Sequence, residues 1–468
     1  MHNSAAHPFG RNGWVAAAPV ICLILAMMPR SMSVVAPLFM LAALVAGNCG
    51  LIANPVSIQA PAEPLGWIRP PGELAFWSLA LLALWALMSA AWSPVPAAGA
   101  PKALYLGLLV ALLYAAVRLP LAVDDGVRDS AARVFVTTMC LLGILLAVEV
   151  ATGEVVNRWI LTHFEFLRPN TPKHIHVADG VVVGRTEAEL NRRIALLSVL
   201  FWPAITMANF WLASERQRMR VSDAAAIGTA SNGVSDLLRR PLLMAGGIGA
   251  ILAIAASGHQ SSQTALVVGI VVFALARLMP RVAILAVGTA WLTATLLIVP
   301  LALVAYKSGL HESPWLFHSA RHRIVIWHET AKLVPNAPLL GIGADATPAV
   351  TRNLEAASPA QQSREFAIST GRHAHNFFLQ IWFELGGVGA ALMLVTGLLT
   401  LAAIWMLPAA VRAMATAHFA AMATLLASSY GVWQMWLQAT LAASAFVMIL
   451  GLSYYHAPSP DHAPGRWR

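Results

Sequence analysis

The stretch 282–305, VAILAVGTAWLTATLLIVPLALVA, runs for 24 residues without a charged side chain, between Arg281 and Lys307. A helix needs about 20 apolar residues to cross about 30 Å of hydrocarbon, so this stretch can span a bilayer. Outward from it lie eleven further apolar runs, at 14–29, 32–53, 73–92, 103–117, 132–152, 194–213, 241–257, 263–278, 376–407, 415–433 and 435–453. The run at 376–407 is too long for one straight crossing. Its glycines Gly386, Gly387 and Gly389 predict a short first helix, a joint, then the span proper.

Composition agrees with this reading. Of 468 residues, 58% are apolar and 11% charged, against roughly 25% charged in soluble domains. Mean hydropathy is +0.69. These values exclude a soluble enzyme, a disordered chain, a collagen-like fibre and a disulfide scaffold. Cys22, Cys49 and Cys140 all sit inside apolar runs and read as buried thiols. The first run passes almost at once into the second, which predicts a retained span rather than a cleaved signal. The expectation is an all-α, polytopic membrane bundle of about twelve transmembrane helices, a single membrane domain over 1–468. Polar insertions at 153–193 and 306–375 interrupt it, the second a large loop with short amphipathic helices. No internal repeat is visible.

The net charge of +9 reads as positive-inside bias and attraction to anionic headgroups; no basic-aromatic module points to nucleic acid. Twelve crossings place both insertions on one side. The two sides nearly tie in total basic charge, so the short loops decide, because long segments translocate largely regardless of charge. On the insertion side the short loops hold only Arg30 and Lys102, against fourteen arginines opposite. Both termini are therefore expected in the cytoplasm and both insertions outside it.

The insertions carry nine of the fifteen histidines, which suggests an anion site at the membrane surface. The densest segment is 371–389, GRHAHNFFLQIWFELGGVG. Asn376 can cap the helix that follows. Arg372, His373 and His375 at its mouth, with free backbone N–H groups, favour an anion. His375 is a candidate general base, since an unperturbed histidine titrates near pH 6.5. Glu384 falls in an apolar run, where a carboxylate costs on the order of 2.5–3.5 kcal/mol; it needs a partner, and orienting the basic cluster would give it a role. In 319–343, Ser319 is a fair cap, and Ile324, Trp327 and Ala331 recur at helical spacing. That predicts an amphipathic surface helix presenting Arg323. At 190–193, Arg192 and Arg193 close the first insertion, where arginine forks suit a diphosphate. His174/His176 and His373/His375 are possible metal-binding pairs, but no HExxH, P-loop or dinucleotide fingerprint is present. Neither a metal nor another cofactor is expected.

The segment 375–389 resembles the bacterial O-antigen ligase / O-antigen polymerase superfamily. Its pattern is His, then Asn, Ser or Gln, nine residues, then Gly-x-x-Gly, and His375, Asn376 and 386–389 fit without a gap. RIVIW (323–327) followed by PLLGIG (338–343) also resembles the segment preceding that motif. The resemblance implies an inverting, metal-free membrane glycosyltransferase of the inner membrane, active at the periplasmic face. Its donor would be a glycan on undecaprenyl pyrophosphate and its acceptor a hydroxyl of lipid A–core, for lipopolysaccharide biosynthesis. His375 would deprotonate the acceptor, and Arg193, Arg323 and Arg372 would hold the departing pyrophosphate, with His373, Asn376, Glu384 and Gln263 in the binding site. One departure stands out: relatives often carry an arginine where this chain reads SGHQSSQT (257–264), which leaves Gln263 or His259 in its place. A polymerase or a protein O-oligosaccharyltransferase of the same superfamily is the nearest alternative. A transporter or flippase is the alternative of another class, disfavoured by the missing repeat.

Overall fold

The computed structural model describes residues 13–53, 70–118, 125–168, 175–225, 233–357 and 373–453. They form a helical bundle with one small hairpin. In chain order the elements are α1 (Gly13–Met27), α2 (Met32–Ala53), α3 (Pro70–Met88), α4 (Pro96–Arg118), α5 (Asp125–Thr152), α6 (Val155–His163), β1 (Ile175–Ala178), β2 (Val181–Arg185), α7 (Glu187–Ala225), α8 (Gly233–Ala256), α9 (Gln260–Leu278), α10 (Pro280–Lys307), α11 (His318–Leu333), α12 (Thr347–Ala357), α13 (Phe377–Trp405), α14 (Ala409–Ser428) and α15 (Met435–Ser453).

A helix occupies each of the twelve apolar runs. Among the described residues six are long and apolar enough to cross a membrane, or up to seven if the bent pair α1–α2 is one span. Those two meet at a 110° bend beside Pro29. The spans expose apolar side chains outward, among them Leu104, Val267, Leu285 and Val304, as lipid-facing helices do. Inside, α5 packs on α1 and α8, α9 on α14, α13 on α3 and α10, and α15 on α2 and α7. Leu142, Leu146, Leu196, Leu197, Ile254 and Leu425 form the centre of the largest apolar cluster.

The segment 153–193 holds α6 and an antiparallel hairpin, so it is not wholly loop or helix. Asp179 and Gly180 both take positive φ at its tip, the conformation that tight hairpin turns need. Buried charge staples this segment to the bundle. Arg193 is 1% exposed and pairs with Glu154 and, at 3.6 Å, with Glu149. Arg185 bonds Asn157, whose backbone N–H reaches Glu149 at 3.1 Å. Removing one member would strand a buried charge, which typically costs about 3–5 kcal/mol.

In the segment 306–357, α11 packs on α10 and α13 rather than lying free on a surface. Phe317, not Ser319, precedes its first turn, and the Ser319 hydroxyl instead bonds Gln260 Oε1 at 2.9 Å. Its buried residues are Ile324, Val325, Ile326, Thr330 and Ala331, so two of the three expected at helical spacing are buried and Trp327 is partly exposed. The stretch 338–343 then lies along a break in α13. At Gly386 α13 has φ +65 and ψ −165, which splits it in two. Across the break, Gly387 N–H bonds Pro338 O at 2.8 Å, Ile342 N–H bonds Phe383 O at 3.1 Å and Gly343 N–H bonds Glu384 O at 2.9 Å. The groups freed by breaking the helix are thus satisfied by the PLLGIG stretch. Trp85 and Trp92, at and just beyond the end of α3, add indole bonds to Leu385 O and Gly341 O.

Candidate active site

Four helix ends and turns converge around His375. They are the start of α13, the exit of α14, the turn from α8 into α9, and the first half of α11. His375 has φ +50, a left-handed conformation that costs a non-glycine residue about 1–3 kcal/mol and recurs at functional sites. Asn376 follows as the cap of α13, its Oδ1 accepting from Leu379 N–H at 3.0 Å.

His375 Nδ1 lies 2.6 Å from the backbone oxygen of Ser429. A carbonyl only accepts, so Nδ1 carries the proton and Nε2 presents a lone pair. Nε2 makes no hydrogen bond among the described residues. Burial pushes the His375 imidazole down to about 4; the Ser429 bond opposes this, while the charges of Arg323 and His322 add to it. The ring is therefore neutral at physiological pH. His373 packs beside it, ring centres 4.0 Å apart, and its Nε2 lies 3.3 Å from Gln434 Nε2.

Arg323 brings the positive charge. Among the described residues its only hydrogen bond is a long one, 3.4 Å from Nη1 to Ser261 Oγ, so most of its guanidinium fork is free for a ligand. Ser261 Oγ in turn donates to Ser428 O at 2.9 Å. Arg323 and Arg192 both lie close enough to act electrostatically on the half-buried Tyr430. Arg192 pairs with Glu189, which also lies 3.6 Å from Arg30. A base with an open lone pair beside a free cation can take a proton from a hydroxyl while an anionic group is held nearby.

Residues 245–394 match the family described as O-antigen ligase. That region resembles the O-antigen ligase family. No curated protein matches the chain. The O-antigen ligase region covers about a third of the chain and holds His259, Arg323 and His375, whereas Ser429 and Tyr430 fall outside it.

Around this region the predicted site residues separate. His375, His373 and Arg323 come together, and Asn376 adjoins them as a helix cap. Arg372 lies outside the described residues, as does His174. Arg193 is not beside the base: Glu149 and Glu154 neutralise it within the bundle. Gln263 does not stand in for an arginine either, because its amide bonds Ala255 O and Ser257 O at 2.9 and 2.7 Å and closes the end of α8. Among the described residues Glu384 has no basic partner. It is 0% exposed and bonds Thr347 Oγ1 (2.5 Å), the N–H groups of Asp345 and Thr347, Gln380 Nε2 (3.2 Å) and Trp433 Nε1. Its route to the basic cluster is indirect: Gln380 Oε1 accepts Val432 N–H at 3.1 Å, which steadies the segment carrying Ser429 and Gln434. Among the described residues no group of three or more His, Cys, Asp or Glu is placed to hold a metal ion.

Sequence reasoning missed Ser429 and Ser261, and of the pair Arg192–Arg193 it carried forward Arg193. The serines carry no local motif. Arg192 was within reach, because adjacent helical residues point about 100° apart, so only one of Arg192 and Arg193 could face the site.

Proposed function

We propose that this protein is an inverting membrane glycosyltransferase of the ligase type. It transfers a glycan from undecaprenyl pyrophosphate to a sugar hydroxyl of lipid A–core at the periplasmic face of the inner membrane. The observation that carries the reading is the orientation of His375, with Nδ1 tied to Ser429 O and Nε2 free beside Arg323. Nε2 takes the acceptor hydroxyl proton, the oxygen attacks the anomeric carbon, and the bond from that carbon to the pyrophosphate oxygen breaks. The pyrophosphate leaves with its negative charge, which Arg323 is placed to stabilise; Arg372 is a second candidate. The reading is completed by twelve crossings, with both termini in the cytoplasm and the segments 153–193 and 306–375 outside.

The deciding experiment is the surface polysaccharide profile of a clean deletion strain, with lipid-linked glycan extracted in parallel. Loss of long glycan from lipid A–core, with polymer retained on the carrier, supports the ligase. A core bearing one repeat unit, with no polymer anywhere, makes the protein a polymerase. No change in either pool overturns both and reopens protein glycosylation and transport.

Two further outcomes follow from the site. Transfer is expected to survive strong chelation of divalent ions, because arginine supplies the charge; loss of activity restored by added metal would contradict this. The pH dependence has a definite sign. A base is active when unprotonated, so kcat/KM should hold from neutral pH down to about 5 and fall below that, towards the lowered value of about 4. Removing the nearby cation in Arg323→Ala raises the affinity of His375 for protons and shifts that limb to higher pH. Bound pyrophosphate does the same, so the kcat limb should lie above the kcat/KM limb. Coincident limbs near pH 6.5 in every case would show that Arg323 does not act on His375.

A further inference from the structure

The turn from α8 into α9 carries a buried histidine, His259. His259 is 5% exposed, with Nδ1 2.7 Å from Ser262 Oγ and Nε2 3.3 Å from Ser429 Oγ. Its ring stacks on Tyr430, centres 5.6 Å apart. Ser429 therefore stands between two histidines: its hydroxyl meets His259 and its carbonyl holds His375 Nδ1 at 2.6 Å. The same turn grips the preceding residue, since Ser261 Oγ donates to Ser428 O. α14 ends at Ser428, so the two residues gripped from α9 are those that leave the helix.

We infer that His259 is a positioning residue for His375, acting through Ser429 as a neutral bridge and not as a replacement cation. The inference rests on the proposed base role of His375. Its chemistry is that of a neutral imidazole, which offers one N–H and one lone pair and meets one serine hydroxyl with each. Burial and the charge of Arg323 hold the ring uncharged, pushed down to about 4. A cation at this spot would face Arg323 and, among the described residues, have no carboxylate beside it. What the bridge controls is the rotation of the Ser429 peptide, hence which nitrogen of His375 is protonated. A base whose Nε2 carries the proton cannot accept one from the acceptor. Arg323, tied to the same turn through Ser261, is left as the cation for the leaving group.

The two roles for His259 separate in kinetics. The test uses the full chain in nanodiscs, glycan-loaded undecaprenyl pyrophosphate extracted from the deletion strain as donor, and lipid A–core from the same strain as acceptor. His259→Ala is expected to lower kcat about ten- to hundredfold through misplacement of the base, with the donor KM within about twofold of wild type. His259→Gln keeps a donor and an acceptor at the reach of Nε2 and should recover most of the rate, whereas His259→Arg should not. Ser429→Ala, which deletes only the hydroxyl, should match His259→Ala, and the double variant should be no worse than either. Recovery by His259→Arg with a raised donor KM in His259→Ala overturns the inference in favour of an anion-binding cation; wild-type kcat in His259→Ala, or additive losses in the double variant, overturns it outright. Nitrogen-15 spectra of the histidine rings, with His375 assigned by difference from His375→Ala, supply a readout without turnover. They should show His375 protonated on Nδ1 in the wild type and a mixture of tautomers in His259→Ala. If the wild type transfers nothing, the proposed function fails on its own, and an unchanged tautomer in His259→Ala independently ends the bridge.

Discussion

His375→Ala is expected to abolish glycan transfer while leaving the protein folded in the membrane. A positioned general base contributes roughly 10²- to 10⁴-fold in rate, and nothing nearby replaces this one. Among the described residues His373 is the only ring packed against it, but its Nε2 lies 3.3 Å from Gln434 Nε2, whereas Ser429 O is bonded to His375. Folding should survive, because the left-handed backbone at φ +50 strains histidine and alanine alike, and the cap of α13 belongs to Asn376. The check is paired: amount and monodispersity of the variant in detergent, then transfer to lipid A–core. His375→Asn should be as inactive as alanine, since its amide N–H, at the reach of Nδ1, can keep the bond to Ser429 O but cannot take up a proton at neutral pH. Wild-type transfer by a well-expressed His375→Ala would defeat the assignment of the base.

The parts legible in the sequence follow from what each signal measures. Apolar runs report the cost of burying charge in hydrocarbon, so the helices fall on the runs. They do not report how far each helix extends beyond it: α7 continues to Ala225 although its apolar part ends near 213. The hairpin at 175–185 has a trace in Asp179-Gly180 ahead of Val181, Val182 and Val183, a turn signal that reading 153–193 as one polar insertion does not use. Within the site, His375, Asn376 and Arg323 could be found because each belongs to a local pattern. Arg193 and Gln263 show the limit of such patterns. Both are of the right type near the right boundary, but the partner that decides their role is distant in sequence or on the next element: Glu149 and Glu154 for one, the carbonyls at the end of α8 for the other. Ser429 is the extreme case, since it holds the base with a backbone oxygen that every residue possesses.

The largest structural effect is expected at Gly386. Its φ of +65 and ψ of −165 lie in a region essentially only glycine enters, at about 1–3 kcal/mol for any other residue. Space is also lacking, because a Cβ there would collide with the carbonyl of Leu339 and the amide of Gly341. The facing Gly341, at φ +69, is as tightly placed against Glu384 O and Gly386 N. Gly386→Ala must therefore straighten α13 or push 338–343 away, and either move breaks the bonds from Gly387 to Pro338 and from Gly343 to Glu384, about 1 kcal/mol each. The sum, on the order of 3–5 kcal/mol, is a large part of the stability of an ordinary domain. The variant should melt well below wild type in detergent or fail to accumulate. Where it folds, transfer should be lost, because the half of α13 before the break carries His375 at its mouth and Glu384 near its end. Gly387→Ala is the control: its φ is not positive, and its added Cβ would lie 3.3 Å from Pro338 O, close enough to require a small shift but no break. Equal melting temperatures for the two alanine variants would refute the argument that the break in α13 depends on glycine at 386.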